Sequence, residues 1–268
     1  MALTRRQRAR LSRGIQYGIA IAVVVVVAFT ADWGVIARTF FNVEVAAGLF
    51  PAVITTALLN TLTFTVLGFA LALALGLVLA LMRLSSLGVY RWVATVYIEF
   101  FRGLPALLIF IAIGFGVPLA FQVQLDRLVT ITAALGIVGS AYIAETIRAG
   151  IQAVPKGQVE AARSLGMSPA RTMVFVVIPQ AFRIILPPLT NELILLTKDS
   201  SLAFLLGTTL TQQELAQFGR AALNQNPGLT PILVVGLCYL IITLPLSFLA
   251  RRLERRFGSA GNPQGVDV

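Results

Sequence analysis

Long uninterrupted apolar runs constrain this chain more than any other feature. Six of them occupy residues 15–36, 55–82, 92–119, 128–147, 184–206 and 231–250. Each can supply the ~20 residues that a helix needs to cross a bilayer core. Only 12% of the 268 residues are charged and 57% are hydrophobic. A soluble domain carries roughly 25% charged residues, so this chain lacks the polar surface to stay in water. The expectation is one all-α bundle of six membrane-spanning helices.

The 21 Lys and Arg residues outnumber 11 Asp and Glu, giving a formal charge of +10. Such a balance can point to nucleic acid. Here the cations flank the apolar runs, so they report topology and not a nucleic-acid partner. Arg5, Arg6, Arg8, Arg10 and Arg13 precede the first run and place the N-terminus in the cytoplasm. Alternating the remaining spans puts Arg83, Arg91, Arg102, Arg148, Lys156, Arg163, Arg171, Arg183 and the group Arg251, Arg252, Arg255 and Arg256 at the inner side. Only Arg38, Arg127 and Arg220 fall outside, and Lys198 lies within a span. Both termini are therefore expected inside, with basic tails at 1–14 and 251–268. The first run is long for a cleaved signal and no clear A-x-A site follows it, so it reads as an anchor. A twin-arginine signal at Arg5-Arg6 lacks its surrounding pattern.

Several chemistries have little raw material. There is no His, and the one Cys, Cys238, sits inside an apolar run. Imidazole- or thiol-based metal sites and nucleophiles are thereby disfavoured. No Ser/Lys or paired-Asp constellation suggests an intramembrane enzyme. No phosphate-binding G-x-x-x-x-G-K-S/T loop occurs, so the chain is not expected to hydrolyse ATP itself.

Residues 148–183 form a cytoplasmic loop too long for a plain turn. Val159, Ala162, Arg163 and Gly166 follow helical spacing, and Gly166 is a natural stop. Ser168-Pro169 reads as a second helix start, with Ser at the N-cap and Pro at the first position. That helix is expected to run toward Ile178 and to end or kink at Pro179. A short rigid knob between two spans could dock a partner, or be an inert hairpin.

Ionisable residues inside spans usually mark pathways, partners or function. Glu99 with Arg102, and Glu145 with Arg148, are spaced i,i+3 and are expected as inner-boundary ion pairs. Gly103 and Pro105 would interrupt the third span just beyond Arg102. The fifth span carries Asn191, Glu192, Thr197, Lys198, Asp199, Ser200 and Ser201, preceded by Pro187-Pro188, which would open its inner end. Glu192 and Asp199 nearly share a face, whereas Lys198 and Asp199 diverge. This face either lines a path for a zwitterionic solute or pairs structurally with other helices. Outside, Thr211 and Glu214 fit a capping box, Leu210 and Leu215 a hydrophobic staple, and Leu215, Phe218 and Ala222 one helical face. A short amphipathic helix, a cap or a gate, is expected before the Asn226-Pro227-Gly228 stop. Gly68 and Gly76 are expected to permit close helix packing, and Gly14 with Gly18 makes a packing pattern common by chance.

Glu160-Ala161-Ala162, then three residues to Gly166, then nine to Val176-Val177-Ile178-Pro179, resembles the EAA signature of ABC importer permeases. That signature reads E-A-A-x-x-x-G, nine residues, I-x-L-P; Val176 and Ile178 are mild departures. Glu99-Phe-Phe-Arg-Gly-Leu-Pro105, Ala144-Glu-Thr-Ile-Arg-Ala-Gly-Ile151 and Asn191-Glu-Leu-Ile-Leu-Leu-Thr-Lys-Asp-Ser-Ser-Leu202 resemble the polar amino-acid branch, the histidine/glutamine/arginine permeases. Leu104 stands where that branch often has Thr. The resemblance covers about residues 53–257. It implies a type I importer transmembrane domain at 53–250, with 15–50 an added N-terminal helix and external loop. It also implies a bacterial plasma (inner) membrane, a second permease subunit, identical or paralogous, two ATPase subunits holding ATP and Mg, and an external amino-acid-binding protein. Glu160, Ala161, Ala162 and Gly166 would contact the ATPase, and no cofactor would be bound by this chain. The rival is an ion-driven secondary transporter, which would typically show inverted repeats; no convincing internal repeat is visible.

Overall fold

The computed structural model describes residues 5–207 and 209–257, and every regular element among them is helical. The ends of both expected basic tails, 1–4 and 258–268, lie outside the described residues. In chain order the helices are α1 (Arg5–Thr30), α2 (Trp33–Phe40), α3 (Val43–Gly48), α4 (Val53–Leu84), α5 (Gly88–Gly103) and α6 (Ala106–Phe121). They continue as α7 (Arg127–Gln152), α8 (Lys156–Ser164), α9 (Pro169–Leu206), α10 (Leu215–Leu223) and α11 (Thr230–Phe257). An all-helical answer follows from the apolar runs, because in hydrocarbon a helix satisfies its backbone polar groups internally.

Five helices are long and apolar enough to span, within α1, α4, α7, α9 and α11; the pair α5 and α6 makes a sixth if taken as one broken crossing. The interruption expected in the third span, 92–119, just beyond Arg102 is found there. The two halves of the span meet at 105°. The cause is local. Leu104 is extended (φ −103°, ψ 141°) as the residue before a proline must tend to be, and Pro105 (ψ 132°) starts a new helix.

The centre of the bundle is α4 against α7, and α9 packs on both of them, chiefly on α7. Apolar helices gain little from leaving lipid for one another, so close contact of small residues must hold them. A Cβ added at Gly68 would lie 2.6 Å from Leu135 Cβ, and one at Gly76 2.8 Å from Ile143 Cγ2. Ala72 and Gly139 meet between these points. Leu135, Ile143, Ala72 and Leu196 are buried in the same cluster.

Helix α9 corrects two expectations. Pro179 does not end it, because a π-helical turn, Met173–Val177, immediately precedes and gives the proline ring a first-turn position. Pro187 and Pro188 lie inside the helix, which runs through them unbroken. The fifth crossing and the second loop helix are one element, so the true loop shrinks to residues 153–168. The start of the expected C-terminal tail, 251–257, is likewise helical, as the end of α11.

The N-terminal segment is attached at one place. Leu229 donates its backbone N–H to the Thr39 carbonyl at 2.7 Å, and Asn42 donates to Thr230 Oγ1 at 3.1 Å, fixing the α2–α3 junction on the start of α11. No residue in the apolar stretch of α1 is buried by the rest of the chain. Nothing lies within 4 Å of a Cβ built at Gly14 or Gly18.

Candidate functional site

Helix α8 is a short element held rigidly at both ends. It closes in a Schellman arrangement, in which Gly166 N–H donates to the Arg163 carbonyl at 3.0 Å and Met167 N–H to the Ala162 carbonyl at 3.1 Å. Gly166 sits at φ +82°, where a side chain is disfavoured. Ser168 then caps α9, its Oγ accepting from Arg171 N–H at 3.3 Å, with Pro169 in the first turn. The stop and restart signals in the sequence therefore act as expected.

The face that α8 presents needs a correction. Glu160, Ala161 and Gly166 are exposed, but Ala162 is buried against the chain's own bundle. Half-buried Val159 packs against the core that contains Val154, Ile147 and Val177, and so seats α8 there. The Ala162 side chain faces inward, away from the surface that Glu160 and Ala161 present. Leu165, 85% exposed, is a large apolar side chain on the free side of the knob. It was not singled out for this contact, because neither its residue type nor its spacing distinguishes it from a core leucine.

In the last turns of α7, Glu145 is the hub of the charges. It accepts from Arg148 Nη2 at 2.8 Å within α7 and from Arg83 Nη1 at 2.7 Å across from α4. Arg148 bonds both carboxylate oxygens, the fork geometry that suits arginine. The expected Glu99–Arg102 pair does not form. Glu99 instead lies 3.6 Å from Arg83, and Arg102 places its guanidinium 5.6 Å from the centre of the Tyr142 ring. Both residues lie on α5, and each meets a group on a neighbouring helix, Arg83 of α4 and Tyr142 of α7, and not the other.

The fifth-span residues separate into two groups. Glu192 and Asp199 line one cavity of about 220 Å³, together with Tyr142, Leu195 and Ala106. Ala106 opens α6, so the α5–α6 break borders this cavity. Arg102 also acts electrostatically on Glu192. Carboxylates and a phenol thus line one space, with the Arg102 charge acting from outside that lining, so both signs of charge are at hand for a zwitterion. Asn191 and Lys198 are exposed and line no part of this cavity. Ser200 is buried, its hydroxyl donating to the Thr197 carbonyl at 2.8 Å, and Ser201 is half-buried.

A larger cleft, of about 600 Å³, lies at the other end of the bundle, between α3 and α10. Here the capping expectation is corrected. Thr211 does not cap α10; Glu214 does, its carboxylate accepting from Ala216 N–H at 2.6 Å and Gln217 N–H at 2.7 Å. Leu210 is exposed and makes no staple, while Leu215 and Ala222 are buried as their shared face requires. Asn60 holds the preceding loop, donating to the carbonyls of Thr211 and Gln213 at 2.9 Å each. Glu214 has no exposed surface, and Tyr239 donates to its Oε2 at 3.1 Å. Burial pushes the Glu214 carboxyl up to about 7, against the opposing pull of the two N–H donors and the phenol. Its helix-start spacing was legible; its burial depends on α4 and α11 and was not.

A family model described as "Binding-protein-dependent transport system inner membrane component" matches residues 72–259. The arginine transport system permease protein ArtQ of Bacillus subtilis is 37% identical over 199 residues, 74% of this chain and 90% of that protein. The probable glutamine ABC transporter permease protein GlnM of the same organism is 39% identical over 202 residues, 74% of this chain and 92% of that protein. Among solved structures, an amino acid ABC transporter with histidines aligns with TM-score 0.72 and 36% identity, covering 78% of this chain and 96% of the other. The MetNI methionine transporter shares the fold at TM-score 0.59 and 20% identity, covering 75% of this chain and 92% of the other.

Proposed function

The chain belongs to the binding-protein-dependent transport system inner membrane components, and from that premise we propose that it is the permease subunit of an ATP-driven importer of polar amino acids. Sequence identity to amino-acid permeases along three-quarters of its length carries the reading. The family works with ATPase and substrate-binding partners. The complete assembly in this reading pairs the chain with a second permease subunit, identical or paralogous, above two ATPases that hold ATP and Mg. It sits in the bacterial inner membrane with both termini cytoplasmic. An ion-driven secondary transporter is set aside, because the fold matches ABC permeases.

The geometry supports a direct mechanical route. Glu160, Ala161 and Leu165 face an ATPase surface, Gly166 sets the angle of the knob, and Ala162 with Val159 ties it to the bundle. When the ATPases close on ATP, α8 moves with them. Because α9 is unbroken from Pro169 to Leu206, displacement at its start is carried to Glu192 and Asp199. The solute's ammonium is drawn to Glu192 and Asp199, and its carboxylate to Arg102. Rocking of α7 and α9 then switches the side to which this cavity opens.

The test is uptake by the complete complex in proteoliposomes, with its binding protein and a panel of labelled amino acids. Uptake is expected to require ATP and to survive collapse of ion gradients. Glu192→Gln or Asp199→Asn is expected to reduce it about tenfold or more, the scale of one lost charge-assisted contact. Gradient-driven uptake without ATP would refute the function. Wild-type uptake by both variants would remove the cavity from the pathway.

A further inference from the structure

The cytoplasmic end of α11 carries a feature that the transport reading leaves unused. Ile241, Leu244 and Phe248 are exposed and recur at helical spacing along one stripe of that helix. The same stripe continues, without a turn of helix between, into Arg251, Arg252 and Arg255. Phe248 and these three arginines together line a shallow pocket of about 240 Å³. None of the three has an ion-pair partner among the described residues; the pairs there join Arg83, Glu99, Glu145 and Arg148. Like charges spaced i,i+3 and i,i+4 repel when left unneutralised. Orientation in the membrane and the helix dipole both favour cations at this end. Neither requires three of them to converge on one pocket directly below an exposed apolar track.

We propose that this stripe is a binding site for an anionic phospholipid, with its phosphate held by Arg251, Arg252 and Arg255 and its acyl chain lying along Phe248, Leu244 and Ile241. The ligand chemistry is a phosphodiester monoanion joined to hydrocarbon, with no cation in its headgroup to cancel the charge. The apolar track above the arginines selects the lipid over a soluble phosphate, which has nothing to place against Phe248. Arginine suits the role because its planar fork can bond two phosphate oxygens at once and it is weakly hydrated. Arg256 sits at the same end but outside the pocket, with its guanidinium 5.7 Å from the Phe257 ring, and serves as an internal control.

The test is native mass spectrometry of the intact permease–ATPase complex, released from mixed micelles containing equal phosphatidylglycerol and phosphatidylcholine. The wild type is expected to retain phosphatidylglycerol preferentially. Each of Arg251→Gln, Arg252→Gln and Arg255→Gln should weaken that preference about fivefold, the effect of one basic side chain near an anionic lipid surface. Arg256→Gln should retain it. Inorganic phosphate added in excess should displace little of the retained lipid. Equal retention by the wild type and the three variants would overturn the proposal, as would an equal loss in Arg256→Gln, which marks unspecific charge. Full displacement by inorganic phosphate would also overturn it. The readout is lipid retention and needs no transport, so its failure is separable from failure of the importer reading.

Discussion

At Glu214 a carboxyl group without solvent exposure closes the first turn of α10 and accepts a hydrogen bond from Tyr239 of α11. Its folded-state pKa, about 7, lies above its ordinary value of 4.5, so the native protein holds a proton that the unfolded chain releases. The sign follows from linkage. This group's contribution to stability is fully present below about pH 4.5 and is lost as pH rises through about 7. Thermal unfolding of the purified protein should therefore show a midpoint that falls over this window. Glu214→Gln, which keeps the shape without the titration, should flatten that part of the profile; an unchanged slope would assign it to other groups. Glu214→Ala should cost about 1–3 kcal/mol, since it strands the Tyr239 hydroxyl and two helix N–H groups.

At the scale of elements, α4 and α7 approach as closely as their small residues allow. Gly68→Leu has no room against Leu135 and should destabilise the bundle by about 1–3 kcal/mol through overpacking. Gly18→Leu on α1 meets open space and should leave the unfolding midpoint in place. Equal midpoints for both variants would show that the α4–α7 contact is loose. These elements also show what the sequence can and cannot disclose. Apolar length disclosed the spans, glycine disclosed the end of α8, and serine and proline disclosed the start of α9, because such signals act within a few residues of themselves. The continuity of α9 was hidden, since proline normally reads as a stop, yet the helix takes Pro179 just after a π-helical turn and runs on through Pro187 and Pro188. The partners of Glu99 and Arg102 were hidden for a different reason: they sit on α4 and α7, and spacing within α5 does not say which helices pack beside it. Spacing likewise placed Ala162 on α8 but could not say that it faces inward.

For the molecule as a whole, the central claim is that an exposed knob between α7 and α9 receives force from a separate ATPase and passes it along an unbroken helix to the cavity at Glu192 and Asp199. Burial divides that knob into a side tied to its own bundle, through Val159 and Ala162, and a free side at Glu160, Ala161 and Leu165. The chain suits site-directed crosslinking, because Cys238 is its one cysteine and is buried. Cysteine placed at Ala161 in the assembled complex should crosslink to an ATPase subunit, and the yield should change when ATP is bound, whereas cysteine at Ala162 should not react. An Ala161→Cys complex that imports normally yet forms no crosslink to the ATPase, or that is labelled by an impermeant thiol reagent from outside intact cells, would contradict the account.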